Sequence, residues 1–182
     1  LDVTSQTLWD QILALSNILK SAQERMLDYI RSRPVVGADE TWWRVLNKKT
    51  KRWYVWALAA EDAVAYLIED SRSIESAKKL LDDFEGTAIT DGYACYSALQ
   101  KRGGRFRLAH CWSHVRRKFV EIEASYSKEC GEILDLIGKL YAIERQARDG
   151  PNMIELRRKL RNEESRKIIE EIHSWALQTK AL

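Results

Sequence analysis

Between residues 5 and 31, Leu8, Ile12, Leu15, Leu19, Ala22, Met26 and Ile30 recur every three or four positions, which places them on one stripe of a long amphipathic helix. Thr4, Ser5 or Thr7 can cap its start, and Pro34 prevents continuation past Arg33. Such a stripe needs a partner surface. The Thr-Ser-Gln-Thr opening could equally begin a DNA-reading helix whose preceding helix lies outside this chain. The period then changes. Residues 35–46 and 52–59 are rich in Val, Trp, Tyr and Leu and flank the polar Asn47-Lys48-Lys49-Thr50-Lys51, a hairpin signal. A third strand at 63–68 follows the Glu61-Asp62 turn and completes an antiparallel meander. Trp42, Trp43, Trp53 and Trp56 fall within it; their simplest use is cross-strand packing, with base stacking as the alternative.

Ser73 caps a helix predicted to run to about Phe84, with Ala77, Leu80, Leu81 and Phe84 on one side and Gly86 placed to end it. A strand at 87–90 delivers Asp91, residues 93–100 form a short helix, Gly103-Gly104 turns the chain, and 105–109 is a fifth strand. Three strands, then helix, strand, helix, strand and helix, predict an α/β (α+β) fold: a mixed five-stranded sheet with flanking helices, matching the ribonuclease H-like architecture. Beyond Cys111 no strand is predicted. Val115, Phe119 and Ile122 mark one helix, Ile133, Ile137, Leu140 and Glu144 another, Gly150-Pro151 breaks the chain, and 153–161 and 165–179 supply one or two more. The expected organisation is an N-terminal amphipathic helix (1–33), a ribonuclease H-like core (34–124) and a C-terminal all-helical subdomain (125–182).

Two strands in this arrangement deliver aspartates, Asp39 on the first and Asp91 at the end of the fourth. The first and fourth strands are neighbours in that topology, so Asp39 and Asp91, 52 residues apart, converge on one edge of the sheet. A carboxylate at a buried strand end is costly unless positive charge sits beside it, and a divalent cation supplies such charge. Mg²⁺ takes oxygen ligands and keeps several waters, and paired carboxylates suit two-metal phosphoryl transfer. Ordinary turn capping by Asp39 and an Asp-Gly turn at Asp91 is the competing reading. Glu121 and Glu123 are the nearest candidates for a third acid, although both read as surface residues of their helix. His110, Cys111 and His114 cluster in sequence; Cys111 and His114, three apart, are expected on one helical face, in local packing or, with further ligands, at zinc. Arg116, Arg117 and Lys118 form the most concentrated basic run beside the proposed site and either hold DNA phosphates or form a solvated helix end.

Composition narrows the setting. The chain is 45% hydrophobic and 31% charged, as a globular protein is. A net charge of +3 and a pI near 8.7 mean that any affinity for nucleic acid must come from clustering. No apolar run approaches the ~18 residues of a membrane span, no signal-peptide pattern opens the chain, and three cysteines without a disulfide framework fit a reducing compartment. A cytoplasmic protein without a membrane partner is expected.

Three motifs carry a family resemblance. Pro34-Val35-Val36-Gly37-Ala38-Asp39-Glu40-Thr41-Trp42-Trp43, Thr90-Asp91-Gly92-Tyr93-Ala94-Cys95-Tyr96 and Ala109-His110-Cys111-Trp112-Ser113-His114-Val115-Arg116-Arg117-Lys118-Phe119 resemble, in order and spacing, the IS66 family of bacterial insertion-sequence transposases. The opening Ser5-Gln6-Thr7-Leu8-Trp9 fits as well. The resemblance implies a DDE transposase: a ribonuclease H-like core whose two aspartates and one glutamate bind two Mg²⁺ (or Mn²⁺) ions, cut donor DNA and join its 3′ ends to a target. It further implies a homo-oligomer acting on transposon ends and target DNA at the bacterial nucleoid. Asp39 and Asp91 match the first two acids, and Cys111 and His114 match a Cys-x-x-His signature with a structural role near the active site. The family's glutamate lies in an Asn-Asn-x-x-Glu-Arg pattern beyond a helical insertion. That pattern is not found before Leu182, so the helices from about Ser127 are expected to be the insertion, and the chain to be an incomplete core with doubtful catalysis of its own. The alternatives are a ribonuclease H-like nuclease with Glu121 as third acid, and a non-catalytic DNA-binding or multimerisation module.

Overall fold

A computed structural model of the chain describes residues 3–45, 52–148 and 152–179. Its elements run α1 (Ser5–Arg31), β1 (Val35–Arg44), β2 (Arg52–Ala59), β3 (Val64–Glu69), α2 (Ile74–Leu81), β4 (Thr87–Thr90), α3 (Ala94–Lys101), β5 (Arg107–His110), α4 (Trp112–Ile122), α5 (Ser127–Gln146), α6 (Met153–Leu160), a π-helical turn (Arg161–Ser165) and α7 (Arg166–Gln178). The predicted basic connection at 47–51 and the Gly150-Pro151 break lie outside the described residues. Two compact units result, Leu1–Cys111 and Trp112–Leu182.

The first unit is built on a mixed five-stranded sheet ordered β3-β2-β1-β4-β5. β1 and β2 pair antiparallel from Gly37 opposite Ala59 to Arg44 opposite Arg52, and β2 and β3 continue the meander. β4 joins β1 in parallel, and β5 joins β4 in parallel, because the intervening chain crosses back through α2 and α3 and each strand re-enters in the same direction. Side chains alternate across the sheet. Val36, Ala38, Trp56, Leu58 and Ala88 are buried on one face, where they meet Ile30 of α1, Leu80 and Leu81 of α2, and Tyr96 of α3. On the other face Val35, Val64, Tyr66 and Ile68 are exposed.

Three expectations need correction. The four meander tryptophans do not pack alike: Trp56 is fully buried, whereas Trp42 and Trp43 are 62% and 59% exposed. β3 pairs with β2 only as far as Tyr54, and β4 pairs with β1 only over Val35–Gly37. Beyond those limits β1 and β2 remain paired with each other as far as Arg44 opposite Arg52. α2 stops at Leu81, short of Phe84, because Asp82 adopts a left-handed φ of +37°. Gly86 therefore serves close approach instead of helix termination: a Cβ there would lie 2.4 Å from the Pro34 carbonyl oxygen. Thr4 does cap α1, its hydroxyl accepting the Thr7 N–H at 3.2 Å. Of the apolar stripe, however, Ile30 is buried while Leu8, Ile12, Leu15 and Leu19 are exposed.

In the second unit, α5 buries Cys130, Ile133, Ile137, Leu140 and Ile143, a three-and-four spacing that forms one apolar stripe. Phe119 of α4 meets Trp175 of α7 edge to face at 5.7 Å. α6 and α7 are joined through the π turn without a break. Glu144 of α5 accepts from Arg161 Nε at 2.6 Å and pairs with Arg157 at 3.3 Å. The Arg161 hydrogen bond, helped by the charges of Arg161, Arg157 and Arg148, holds the Glu144 carboxyl below its ordinary range despite partial burial. A depressed carboxylate contributes stability that is complete above its unfolded value and is lost as pH falls through its folded value. Glu144→Gln is therefore expected to cost about 1 kcal/mol at neutral pH, with the difference from the parent chain vanishing in acid. Urea unfolding followed by tryptophan fluorescence at the two conditions checks this. Among the described residues, no helix is long and apolar enough to cross a membrane.

Candidate functional site

β1 delivers two consecutive acids to opposite faces of the sheet. Asp39 follows the register of Val35 and Gly37 and is exposed, its Oδ1 accepting the Glu40 N–H at 2.9 Å. Glu40 follows Val36 and Ala38 and its side chain is completely buried. The β1–β4 pairing sets Val35 beside Thr87, Val36 beside Ala88 and Gly37 beside Ile89. The observed pairing ends at Gly37 beside Ile89; Asp39 lies two residues further along β1, and Asp91 immediately follows β4.

Asp91 is fixed by a turn of its own making. Its Oδ1 accepts the Tyr93 N–H at 2.8 Å, an Asx turn. Gly92 sits at φ +89°, and a Cβ there would come within 3.3 Å of His110 Nδ1. The side chain is 24% exposed, with Oδ2 3.9 Å from Arg72 Nη2. Arg72 in turn belongs to Glu40: its Nε donates to Glu40 Oε1 at 2.7 Å and its Nη2 donates to the same oxygen, while the Tyr96 hydroxyl donates to Oε2 at 2.6 Å. The Arg72 guanidinium lies 3.8 Å over the Tyr93 ring.

Burial pushes the Glu40 carboxyl up, against the opposing pull of Tyr96 and Arg72. For Arg72, burial pulls down but is outweighed by Glu40, so the guanidinium stays charged. Burial, and then the Glu40 carboxylate, drive the Tyr96 hydroxyl far above its ordinary value, which keeps it a donor. Burial likewise pushes the Cys95 thiol up to about 12, so this cysteine remains a protonated apolar group and not a nucleophile.

The other sequence candidates fall out as follows. Arg116, Arg117 and Lys118 are exposed along α4, and Glu121 pairs with Arg117 at 3.8 Å and with Lys118 at 3.3 Å. Glu121 thus has the helix-surface role expected of it. Cys111 is not on the helix with His114. It precedes α4, and its N–H donates to the Thr90 carbonyl at 2.8 Å, extending the β4–β5 ladder. His114 lies on α4 and is half-buried. The carboxylates of Asp39 and Asp91 are hard-oxygen donors of the kind that Mg²⁺ takes. Among the described residues, no group of three or more His, Cys, Asp or Glu is placed to hold a metal ion, so the third acid of a two-metal site is not supplied there. Sequence reasoning passed over Glu40, Arg72 and Tyr96, although the alternation Val36, Ala38, Glu40 already places that glutamate on the core face.

Comparison with known proteins bears on the whole chain. The profile described as the transposase IS66 family matches residues 1–181. Two curated relatives from Sinorhizobium fredii are similar: uncharacterized protein y4jD, 37% identical over 148 residues, covering 71% of this chain and 29% of that protein, and uncharacterized protein y4qI, 32% identical over 160 residues, covering 74% and 30%. The chain therefore spans less than a third of the length of these relatives.

Proposed function

The chain belongs to the IS66 family of transposases, and from that premise we propose that its first unit is the ribonuclease H-like part of a DDE transposase, contributing the first two acids, Asp39 and Asp91, to metal-dependent DNA cleavage and strand transfer. The observation that supports this reading is the parallel pairing of β1 with β4, since β1 carries Asp39 and β4 leads directly into Asp91. The strand order supports it too, since β1 lies centrally between β2 and β4, where a carboxylate is held by a stiff sheet rather than a loop.

Mg²⁺ or Mn²⁺ bound there supplies positive charge to the oxygens of a phosphodiester undergoing in-line displacement. The chain's own residues orient the site. The Tyr93 N–H fixes one oxygen of Asp91, the β1–β2 ladder fixes the backbone carrying Asp39, and Glu40 keeps Arg72 beside Asp91. Arg116, Arg117 and Lys118 present an exposed basic run for DNA phosphates, to which they contribute affinity and position but no sequence preference. Cys111, by extending the ladder past Thr90, serves a local structural role. The complete reaction, the third acid, the transposon ends and target DNA, and action as a homo-oligomer belong in this proposal to the longer protein.

Mn²⁺ binding by the 182-residue chain, followed by electron paramagnetic resonance, tests the site. Asp39→Asn and Asp91→Asn are each expected to abolish the tight fraction, while Glu121→Gln leaves it unchanged. Loss of Mn²⁺ binding in Glu121→Gln would instead favour the nuclease reading with Glu121 as third acid. Binding indifferent to both aspartates would end the proposal.

A further inference from the structure

Glu40, Arg72 and Tyr96 form a polar cluster at the edge of the core, with Glu40 and Tyr96 buried and Arg72 partly exposed, that does not bind the metal in the reading above. We infer that Arg72 is a positioning residue for Asp91, set in place by the buried Glu40 carboxylate. This rests on Asp91 being a metal ligand.

Arg72 is held by three contacts, two at the guanidinium and one at its backbone. Nε and Nη2 both donate to Glu40 Oε1, the plane stacks on the Tyr93 ring at 3.8 Å, and the Arg72 backbone carbonyl accepts the Tyr93 hydroxyl at 3.0 Å. Glu40 is itself held at its other oxygen by the Tyr96 hydroxyl. An arginine fixed on all these sides has little rotamer freedom left to lose, so its remaining contact is directional. That contact is with Asp91: Nη2 stands 3.9 Å from Oδ2, while Oδ1 takes the N–H of Tyr93, the residue on which Arg72 stacks. Both oxygens of the carboxylate at the end of β4 are thus addressed by one Arg72–Tyr93 assembly, and that assembly is anchored through Glu40 to the strand carrying Asp39. An arginine that only neutralised Glu40 would not need to reach the second carboxylate. Here one cation couples the two strand ends that must present their acids together, as residues behind metal ligands commonly do.

The decisive comparison is between Arg72→Lys, which keeps the charge but loses the fork and the stack, and Tyr96→Phe, which removes only the hydroxyl donated to Glu40. Two quantities are read in the 182-residue chain: hydrogen exchange of the Tyr93 amide without metal, and Mn²⁺ affinity. Arg72→Lys is expected to accelerate Tyr93 exchange and to weaken Mn²⁺ binding by about 10–100-fold. Tyr96→Phe, which frees one oxygen of Glu40 but leaves the Arg72 fork and stack in place, is expected to move both readouts in the same direction as Arg72→Lys and by less. Tyr93→Phe, which removes the tether to the Arg72 carbonyl but keeps the ring, moves both readouts in the same direction as Arg72→Lys and serves if that variant does not fold. If Arg72→Lys and Tyr93→Phe lower the melting temperature while Tyr93 exchange and Mn²⁺ affinity hold, Arg72 is structural only and the inference is overturned. If the parent binds no Mn²⁺, the metal reading fails and the catalytic sense of this inference fails with it; Tyr93 exchange still shows whether Arg72 seats Asp91.

Discussion

Trp56→Ala is expected to lower the unfolding free energy of the sheet unit by about 3–5 kcal/mol, the range for removing a large buried aromatic side chain. Trp56 heads the fully buried side chains by volume and sits on β2 directly opposite Glu40 and Leu67. Its indole meets the Tyr96 ring edge to face at 6.2 Å and 75°, and its Nε1 donates to the Ser71 carbonyl at 3.3 Å. Alanine would therefore open a cavity and, in addition, loosen Tyr96 and the residue preceding Arg72. Against a total stability of about 5–15 kcal/mol for a domain, that leaves a chain close to unfolding. Trp56→Phe keeps an aromatic edge but loses the hydrogen bond, for an expected cost of about 1–2 kcal/mol. Urea titrations of both variants, followed by near-ultraviolet circular dichroism, decide it. A loss under about 1 kcal/mol for the alanine variant would contradict Trp56 as the centre of the core.

The second large effect is on activity. In the longer protein, Asp39→Asn is expected to reduce metal-dependent cleavage of the element's own DNA ends by about 10³-fold or more, since several kcal/mol of charge stabilisation depend on the metal. Asparagine preserves the side chain's shape and can still accept the Glu40 N–H, so folding should survive while the ligand charge is lost. Asp91→Asn should act alike, and the double variant should be scarcely worse than either single one, because groups serving one metal site act as a unit. Single-turnover cleavage, with melting temperatures as the control, reads this out. Mild losses that multiply in the double variant would mean the two aspartates do not share a site.

Most of the sheet was legible because its signals are short-range. Content of Val, Trp, Tyr and Leu on either side of a polar connection defines β1 and β2, Ser73 marks a helix start, and the order of strands and helices constrains the pairing enough to make β1 and β4 neighbours. That Asp39 lies on β1 and Asp91 directly after its parallel neighbour β4 follows from the same order. What escaped depends on longer-range or more local facts. Arg72 lies 32 residues from Glu40 in a connection with no periodicity, so nothing near either residue announces the pair. The end of α2 turns on Asp82 entering the left-handed region, where the eye is drawn instead to Gly86. The exposure of Trp42 and Trp43 depends on where β3 and β4 stop, which their own strand pattern does not contain.

The two acids on opposite faces of β1 have a consequence for how the chain finds its pairing. Strand side chains repeat every two residues, so a slip of β1 by one position would exchange the faces of Asp39 and Glu40. Asp39 would then be driven toward Trp56 and Tyr96 on a shorter side chain, while Glu40 abandoned Arg72 for water. A buried carboxylate without its hydrogen-bonding partner is several kcal/mol less favourable, an energy comparable to a large part of a domain's stability. Misaligned hairpins are thereby rejected by electrostatics as well as by lost apolar contacts. The alignment that satisfies the glutamate beside Arg72 is the one that presents Asp39 on the outer face.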